Sequence, residues 1–257
     1  MYSLHINGWT PPAIAVAIVL REKGLQFDVV EHDWQASADA LKPFASQLEP
    51  LNTLEGEFPI LVADGTAISD SYFILEYLDD RHPQPALKPA APYGQWQVQA
   101  LARFFGERAL PSVSSLGVAD RFGGREWPAD IPDGFANAGT ITAERRDAWQ
   151  TALTNPADEA VIAESHRKIG LLFDRLDRTL AESSGEWLLG GTFTLADAAA
   201  FVLVEPFLSA KLDALAAQPS AAVREWHGKV AKRPAVAGVL AECEPAFLPG
   251  PEHARWG

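Results

Sequence analysis

The chain has 257 residues, in which 34 acidic side chains outweigh 21 basic ones and give a net charge of −13. Affinity for nucleic acids and for anionic membranes comes mainly from Lys and Arg, so this balance argues against both kinds of partner. Hydrophobic residues make up 47% of the chain and charged residues 21%, proportions typical of a globular protein, which excludes wholesale disorder.

The N-terminal apolar run, Ala13 to Leu20, is too short to cross a membrane, because a spanning helix needs about 20 apolar residues. The first basic residue, Arg21, follows this run instead of preceding it, which is the wrong order for a secretory signal. We therefore expect a cytoplasmic protein. The single cysteine, Cys243, excludes an internal disulfide, and the lack of a Cys/His cluster argues against zinc ligation.

The pattern up to residue 82 alternates between strand and helix. Thr10 is typical of an N-cap and Pro11 of a first helical residue, and the helix that they open is expected to end at Lys23-Gly24. Asp64-Gly65 is typical of a tight hairpin turn. The expected strands span residues 2–6, 26–31, 58–63 and 66–69, and the expected helices span 11–23, 36–47 with a break near Pro43, and 70–80. This order predicts a small sheet with helices packed against it.

A proline-rich stretch separates this part from the rest of the chain. The prolines between residues 83 and 92 cannot continue a helix or pair in a sheet, so we expect a linker there, between domains at 1–82 and 93–257. Apolar spacing then predicts helices at 93–116, 159–180, 194–208, 221–231 and 236–241. The connection at 117–156 is rich in Gly, Pro and Asp and longer than ordinary helix connections, which leaves a functional flap and a mobile insertion as alternatives.

Two separated motifs resemble those of the glutathione transferase superfamily. Residues 57–65 and 69–78 resemble its proline-led strand with a hairpin and its acidic-Ser pair that opens a helix. Residues 187–197 resemble its buried capping box, which gives Thr194 and Asp197 a structural role. The resemblance implies an α/β thioredoxin-like N-terminal domain, an all-α C-terminal helical bundle domain and, as is usual in the family, a homodimer.

The resemblance also implies where glutathione, the expected cosubstrate, binds. Pro59 would be cis, and the Phe58 backbone would then pair with the cysteinyl part of glutathione. Ser71 would hold the γ-glutamyl carboxylate at a helix start, where free N–H groups favour an anion, and Asp70 would take the ammonium group. The residues alone leave a trans proline and an ordinary N-cap pair open as alternatives.

The thiol of glutathione resembles that of free Cys, whose pKa of about 8.5 leaves it mostly protonated at neutral pH. A hydroxyl donor and a helix N-terminus can lower that pKa, and the resemblance puts Thr10 in this catalytic position. The nearby Pro12 removes one helix-start N–H group, so the Asn7 side-chain amide is a second candidate. On the residues alone, Thr10 is equally well explained as a helix cap.

The family places the acceptor substrate beside the first helix of the second domain. The residues implied as acceptor contacts are Trp9, Trp96, Phe104, Phe105 and Arg108, with Arg103 close by. Core packing of the aromatic rings and surface pairing of the arginines are the structural alternatives. The long connection, with the residues at 144–149, is also similar in layout to bacterial transferases that cleave lignin-type β-aryl ethers.

We therefore expect a glutathione transferase that attacks an electrophilic, hydrophobic and aromatic small molecule, by conjugation or by β-aryl ether cleavage, in detoxification or aromatic catabolism. A non-catalytic binding protein of the same fold, or the inactive subunit of a heterodimer, is the alternative, and glutathione-dependent isomerisation is a third. The scattered histidines lack a metal-binding spacing, and no glycine-rich phosphate-binding motif occurs, so no metal or nucleotide is expected. Cys243 lies too far from the first strand to support disulfide reduction.

Overall fold

The computed structural model describes residues 1–33, 37–48, 58–122, 154–155, 158–209, 212 and 218–248. The predicted insertion at 117–156 lies largely outside these ranges, as do residues 144–149, and its first residues, 117–122, continue a helix. No helix of the described ranges is long and apolar enough to span a bilayer.

The N-terminal part contains a four-stranded sheet in the order β2-β1-β3-β4. Its strands are β1 (Tyr2–Ile6), β2 (Phe27–Glu31), β3 (Ile60–Ala63) and β4 (Thr66–Ser69). Strand β1 pairs with β2 in parallel and with β3 antiparallel. The predicted hairpin is confirmed: Asp64 and Gly65 both have positive φ, of 50° and 85°, as a tight two-residue turn requires. Strand β3 begins later than expected, at Ile60, because Pro59 has no N–H group to give to the sheet.

Three helices accompany the sheet: α1 (Pro11–Glu22), α2 (Ser37–Leu48) and α3 (Ser71–Arg81). Helix α1 is buried from Ala13 to Leu20, because it packs against α3 and the C-terminal helices. Helix α2 continues through Pro43, so the expected break is wrong. Packing explains the difference, since Phe44 and Leu48 after the proline are both buried in a small core with sheet residues.

The C-terminal part is helical. Its helices are α4 (Pro92–Phe104), α5 (Leu110–Phe122), α6 (Glu159–Glu182), α7 (Leu195–Leu208), α8 (Ala221–Ala231) and α9 (Pro234–Glu242). The helix expected at 93–116 is in fact α4 and α5 joined by a π-helical turn at Phe105–Ala109. Such a turn adds one residue to the helix. A prediction that assumes one uniform helical period along the sequence cannot locate it. The segment between α3 and α4 contains no helix or strand, while the domain boundaries themselves stay a prediction.

Both parts share one hydrophobic core, with α7 at its centre. The predicted capping box at the start of α7 is present. The Asp197 carboxylate is fully buried and accepts hydrogen bonds from the Thr194 N–H (2.9 Å), the Leu188 N–H (3.0 Å) and the Trp226 indole (2.9 Å). Burial raises the pKa of the Asp197 carboxyl group, although these hydrogen bonds act in the opposite direction. The structural role predicted for this pair therefore agrees with its position.

Candidate functional site

The N-terminus of α3 presents hydrogen-bond donors next to the end of the sheet. Strand β4 ends at Ser69, and Asp70 caps α3 by accepting a hydrogen bond from the Tyr72 N–H at 2.8 Å. Asp70 has φ 68° and ψ 115°, a backbone conformation that is strained for a residue with a Cβ atom and is found mainly at functional sites. Ser71 follows as the first helical residue, where backbone N–H groups lack helical partners. This end of α3 therefore suits a carboxylate.

The segment before β3 offers a second set of backbone groups. The Phe58-Pro59 peptide bond is cis, as the family resemblance implied. Within the described ranges, the N–H and C=O groups of Phe58 make no hydrogen bond. The Phe58 ring stacks on the His32 ring, with 5.2 Å between the centroids and 28° between the planes.

The third element is the turn between β1 and α1. Thr10 is the N-cap residue of α1, and its carbonyl accepts the hydrogen bond from the Ile14 N–H at 2.9 Å. Its hydroxyl makes no capping bond; the oxygen is buried and has no hydrogen-bond partner among the described residues. Pro11 and Pro12 contribute to this, since neither has an N–H group to donate. Asn7 lies half-buried in the same turn.

A small apolar cavity lies where α1, α3, the π-helical turn and α7 meet; we call it the interdomain cavity. Its lining residues are Pro12, Ala15, Ser71, Tyr72, Leu75, Ala102, Gly106, Leu110, Ala199, Val202 and Leu203. The cavity brings Ser71 close to Pro12, and therefore joins the start of α3 to the start of α1. Burial raises the pKa of the Tyr72 hydroxyl, and the nearby Glu76 carboxylate raises it further. This wall is suited to an apolar group.

Comparison with known proteins agrees with this geometry. Residues 10–86 match the family model for the glutathione S-transferase N-terminal domain, and residues 149–242 match the model for the C-terminal domain. The chain belongs to the glutathione S-transferase superfamily.

Individual relatives of this chain are distant. Protein LigF from Sphingobium sp. (strain NBRC 103272 / SYK-6) is 26% identical over 193 residues, which cover 72% of this chain and 70% of LigF. The glutathione S-transferase U28 of Arabidopsis thaliana is 31% identical over 115 residues, which cover 44% of this chain and 46% of that protein.

Solved structures show the same fold. The crystal structure of the beta-etherase LigF has a TM-score of 0.77 at 23% identity, covering 94% of this chain and 99% of that one. A glutathione transferase homologue from Sulfitobacter, with bound glutathione, has a TM-score of 0.64 at 20% identity, covering 94% of this chain and 98% of that one. The chain therefore has the expected thioredoxin-like and all-helical architecture.

The residues expected to contact an acceptor are dispersed in the structure. Phe105 is fully buried in the core, and Phe104 packs beside it under the Arg175 guanidinium, 5.9 Å from the ring centroid. Trp96 is 57% exposed and stacks on Tyr93. Arg108 is exposed, and Arg103 pairs with Glu107 at 2.6 Å. None of these residues lines the interdomain cavity, and their role toward an acceptor stays a prediction.

Trp9 is also separated from Ser71. It lines a different cavity together with Arg21 and Gln26, and its carbonyl accepts a hydrogen bond from the Ala246 N–H at 2.9 Å. The two cavities lie on opposite faces of α1, since Pro12 and Ala15 line one while Ala17 and Arg21 line the other.

Sequence reasoning missed a histidine pair next to the Phe58 ring. His5 Nδ1 lies 3.0 Å from His32 Nε2, and the Ser3 hydroxyl lies 3.1 Å from His5 Nε2. Burial lowers the pKa of both histidines, and the charge of His32 further lowers that of His5. The pairing of β1 with β2 brings the two rings together. The sequence does indicate that Ser3 and His5 share one face of the sheet, because they alternate along β1 with the buried Leu4 and Ile6.

Gly106 was missed as well. It lies in the π-helical turn and lines the interdomain cavity, and a Cβ atom placed there would contact nothing within 4 Å. Ala102, Gly106 and Leu110 are spaced four residues apart, and this spacing in the sequence indicates that they lie on one face of a helix. Among the described residues, no group of three or more His, Cys, Asp or Glu side chains is arranged to hold a metal ion.

Proposed function

We propose that this chain is a glutathione transferase whose bound thiolate attacks an electrophilic carbon of a hydrophobic, aromatic small molecule. The observation that carries the proposal is the convergence of Ser71 and Pro12 on one apolar cavity, with the buried Thr10 hydroxyl, which has no partner among the described residues, two residues away from Pro12. Family membership supports glutathione as the cosubstrate.

Glutathione would lie across the starts of α3 and α1. Its γ-glutamyl carboxylate would bind the Ser71 hydroxyl and the N-terminus of α3, while its ammonium group would approach Asp70. Its cysteinyl backbone would pair with the N–H and C=O groups of Phe58. The sulfur would then reach the β1–α1 turn.

Activation of the thiol would depend on Thr10. A hydroxyl that donates a hydrogen bond to the sulfur favours the thiolate over the thiol, and the partial positive charge at the start of α1 adds to this. Pro11 and Pro12 remove N–H groups from that helix start, so the hydroxyl has to carry more of the effect than in a helix without prolines. Asn7 is the second donor that we propose.

The chemical step follows from a thiolate beside an apolar cavity. The sulfur forms a bond to the electrophilic carbon, and the leaving group departs with the electron pair of the broken bond. If that group is an aryloxide, the reaction is β-aryl ether cleavage, and the oxygen takes its proton from water. The similarity to the beta-etherase LigF supports this version of the reaction.

A non-catalytic binding protein of the same fold, or an inactive subunit of a heterodimer, is the second candidate. The burial of the Thr10 hydroxyl oxygen favours it, because the sulfur could approach that oxygen only after the side chain turns. The homodimer and the cytoplasmic location stay predictions.

The test combines glutathione affinity with turnover. Ser71→Ala should weaken glutathione binding by about 10- to 150-fold in calorimetric titration, because it removes one hydrogen bond to a charged group. Ser115→Ala is the matched control, since the Ser115 hydroxyl donates to the Pro111 carbonyl within α5, away from the site. An unchanged dissociation constant for Ser71→Ala would contradict the glutathione site. Glutathione binding without turnover of a chlorodinitrobenzene or a model β-aryl ether would favour the binding protein.

A further inference from the structure

A second cavity, of about 340 Å³, lies on the far side of α1; we call it the edge cavity. It is bounded by α1, by the edge strand β2 and by α9, and it shares no lining residue with the interdomain cavity. The lining residues that matter to its chemistry are Trp9, Arg21, Gln26, Phe27, Val239 and Glu242. Its volume is within the range of about 300–1,000 Å³ that is typical of small-molecule sites.

The edge cavity combines apolar and hydrogen-bonding walls. The rings of Trp9 and Phe27 are half-buried, and Val239 is buried beside them. The Trp9 backbone is held by the hydrogen bond to the Ala246 N–H and by a bridge to Pro245, so the indole belongs to an ordered turn. Arg21 and Gln26 contribute N–H donors. Flat rings next to hydrogen-bond donors suit an aromatic ligand with a polar end.

Arg21 lies against the backbone of α9. A Cβ atom at Gly238 would lie 2.6 Å from Arg21 Nη1, so a larger residue at position 238 would displace the end of the Arg21 side chain. Arg21 Nη2 donates a hydrogen bond to Glu242, the acidic residue at the end of α9. The Arg21 side chain is 26% exposed, whereas that of Glu242 is 64% exposed. The cation is therefore part of the wall, and its partner is a surface group.

This difference in exposure indicates which charge a ligand would bring. Exposed ion pairs contribute little to stability, so Glu242 can leave Arg21 for water at small cost. A ligand carboxylate would take its place with the same planar hydrogen-bond geometry, for which guanidinium groups are suited. A cationic ligand would have to approach Glu242 with the Arg21 guanidinium beside it.

We propose that the edge cavity binds a flat aromatic carboxylate, with the ring against Trp9 and Phe27 and the carboxylate on Arg21 in place of Glu242. This site goes beyond the proposed transferase activity. Since the two cavities lie on opposite faces of α1, such a ligand can bind while glutathione and an acceptor occupy the other side.

The test is calorimetric titration of 2-naphthoate into the full chain saturated with S-hexylglutathione, which fills the glutathione position and the adjoining apolar space. We expect binding of one 2-naphthoate per chain. Arg21→Met and Gly238→Ala should each weaken it by about 10-fold or more, because the charged hydrogen bond is lost or displaced. Gly238→Ala lies within α9, where alanine favours the helix, so this variant should fold even if Arg21→Met does not.

Two further measurements identify the charge requirement. Glu242→Ala should tighten binding, because it removes the group that competes for Arg21. Lys229→Met is the control for Arg21→Met, because it also removes one positive charge, but from α8. It should leave the affinity for 2-naphthoate unchanged. Displacement of 2-naphthoate by S-hexylglutathione, equal binding of neutral 2-naphthamide, no binding to the wild-type chain, or wild-type affinity in Gly238→Ala would each overturn the proposal. A chain that fails to bind glutathione would contradict the proposed function alone, and the titration is then repeated without S-hexylglutathione.

Discussion

Lys23 and Asp79 form a buried ion pair, with 2.5 Å between Nζ and Oδ1, that joins the end of α1 to the end of α3. The same ammonium group donates to the carbonyls of His82 (2.7 Å) and Pro85 (2.6 Å), and Asp79 also accepts a hydrogen bond from the Leu87 N–H at 2.9 Å. The segment between the sheet-containing part and α4 is therefore attached to one buried cation.

Lys23→Met should lower the free energy of unfolding by about 3–5 kcal/mol, because it leaves a buried carboxylate and two carbonyls without their donor. Denaturation in urea measures this loss. Lys229→Met is the control, since Lys229 pairs with Glu225 at the surface, and its unfolding should hardly change. Equal stabilities of the two variants would contradict a structural role for the Lys23–Asp79 pair.

Thr10→Val should raise the pKa of the bound glutathione thiol by about one to two units, because it removes one hydrogen-bond donor next to the thiolate. The variant should not lose the roughly 0.5–2 kcal/mol that a broken N-cap bond costs, since Thr10 makes no such bond. Ultraviolet titration of the thiolate and thermal unfolding measure the two effects. Thr10→Ser keeps the hydroxyl and should keep the thiol pKa. If valine leaves the titration unchanged, the activating donor has to be sought at Asn7.

The His5–His32 pair should make the chain less stable at acidic pH. Burial lowers the pKa of both rings below the ordinary value of 6.5, so below that pH the unfolded chain binds protons more readily than the folded one. The contribution of the neutral pair to the free energy of unfolding is fully present above pH 6.5. It is lost as the pH falls through this value toward the lower pKa of the folded state. Urea unfolding at several pH values should show the loss. The free energy of unfolding should fall less steeply with decreasing pH in His5→Gln and in His32→Gln than in the wild type. A wild-type pH dependence in both variants would contradict the prediction.

Trp96 should contribute to a homodimer interface. Phe73 on α3 and Tyr93 and Trp96 on α4 are large apolar side chains that are all more than half exposed, and exposed apolar groups of this kind are typical of protein interfaces. The two helices are adjacent, since Gln99 Nε2 lies 3.2 Å from Glu76 Oε2.

We expect light scattering to give twice the chain mass of 27.8 kDa for the wild type and a shift toward the monomer for Trp96→Glu. Leu171→Glu is the matched control, because Leu171 is a similarly exposed apolar residue on α6. A monomeric wild type, or equal dimerisation in both variants, would contradict this interface.

Local signals of a few residues were enough for much of the fold. The boundaries of β1 and β4 were predicted from alternation and flanking turns, and the hairpin from Asp64-Gly65, because each depends on neighbouring backbone groups alone. The start of α3 was predicted at residue 70, one position before its observed start at Ser71, and the capping box at Asp197 was predicted for the same reason. In these cases the chain carries its own hydrogen-bond partners within a few positions.

Contacts between distant segments decided the rest. The aromatic residues of α4 and the π-helical turn look alike in sequence, yet Phe105 is in the core and Trp96 is exposed, because the neighbouring helices cover one face and leave the other. His5 and His32 are 27 positions apart and meet only through the β1–β2 register. Trp9 lies in the same turn as Asn7 but on the side of α1 opposite to Ser71. There it packs with α9 and pairs with Pro245, in the chain that follows α9. Sequence alone determined which residue types are available for chemistry; packing determined which of them share a cavity, since burial and proximity depend on surfaces that the local pattern does not encode.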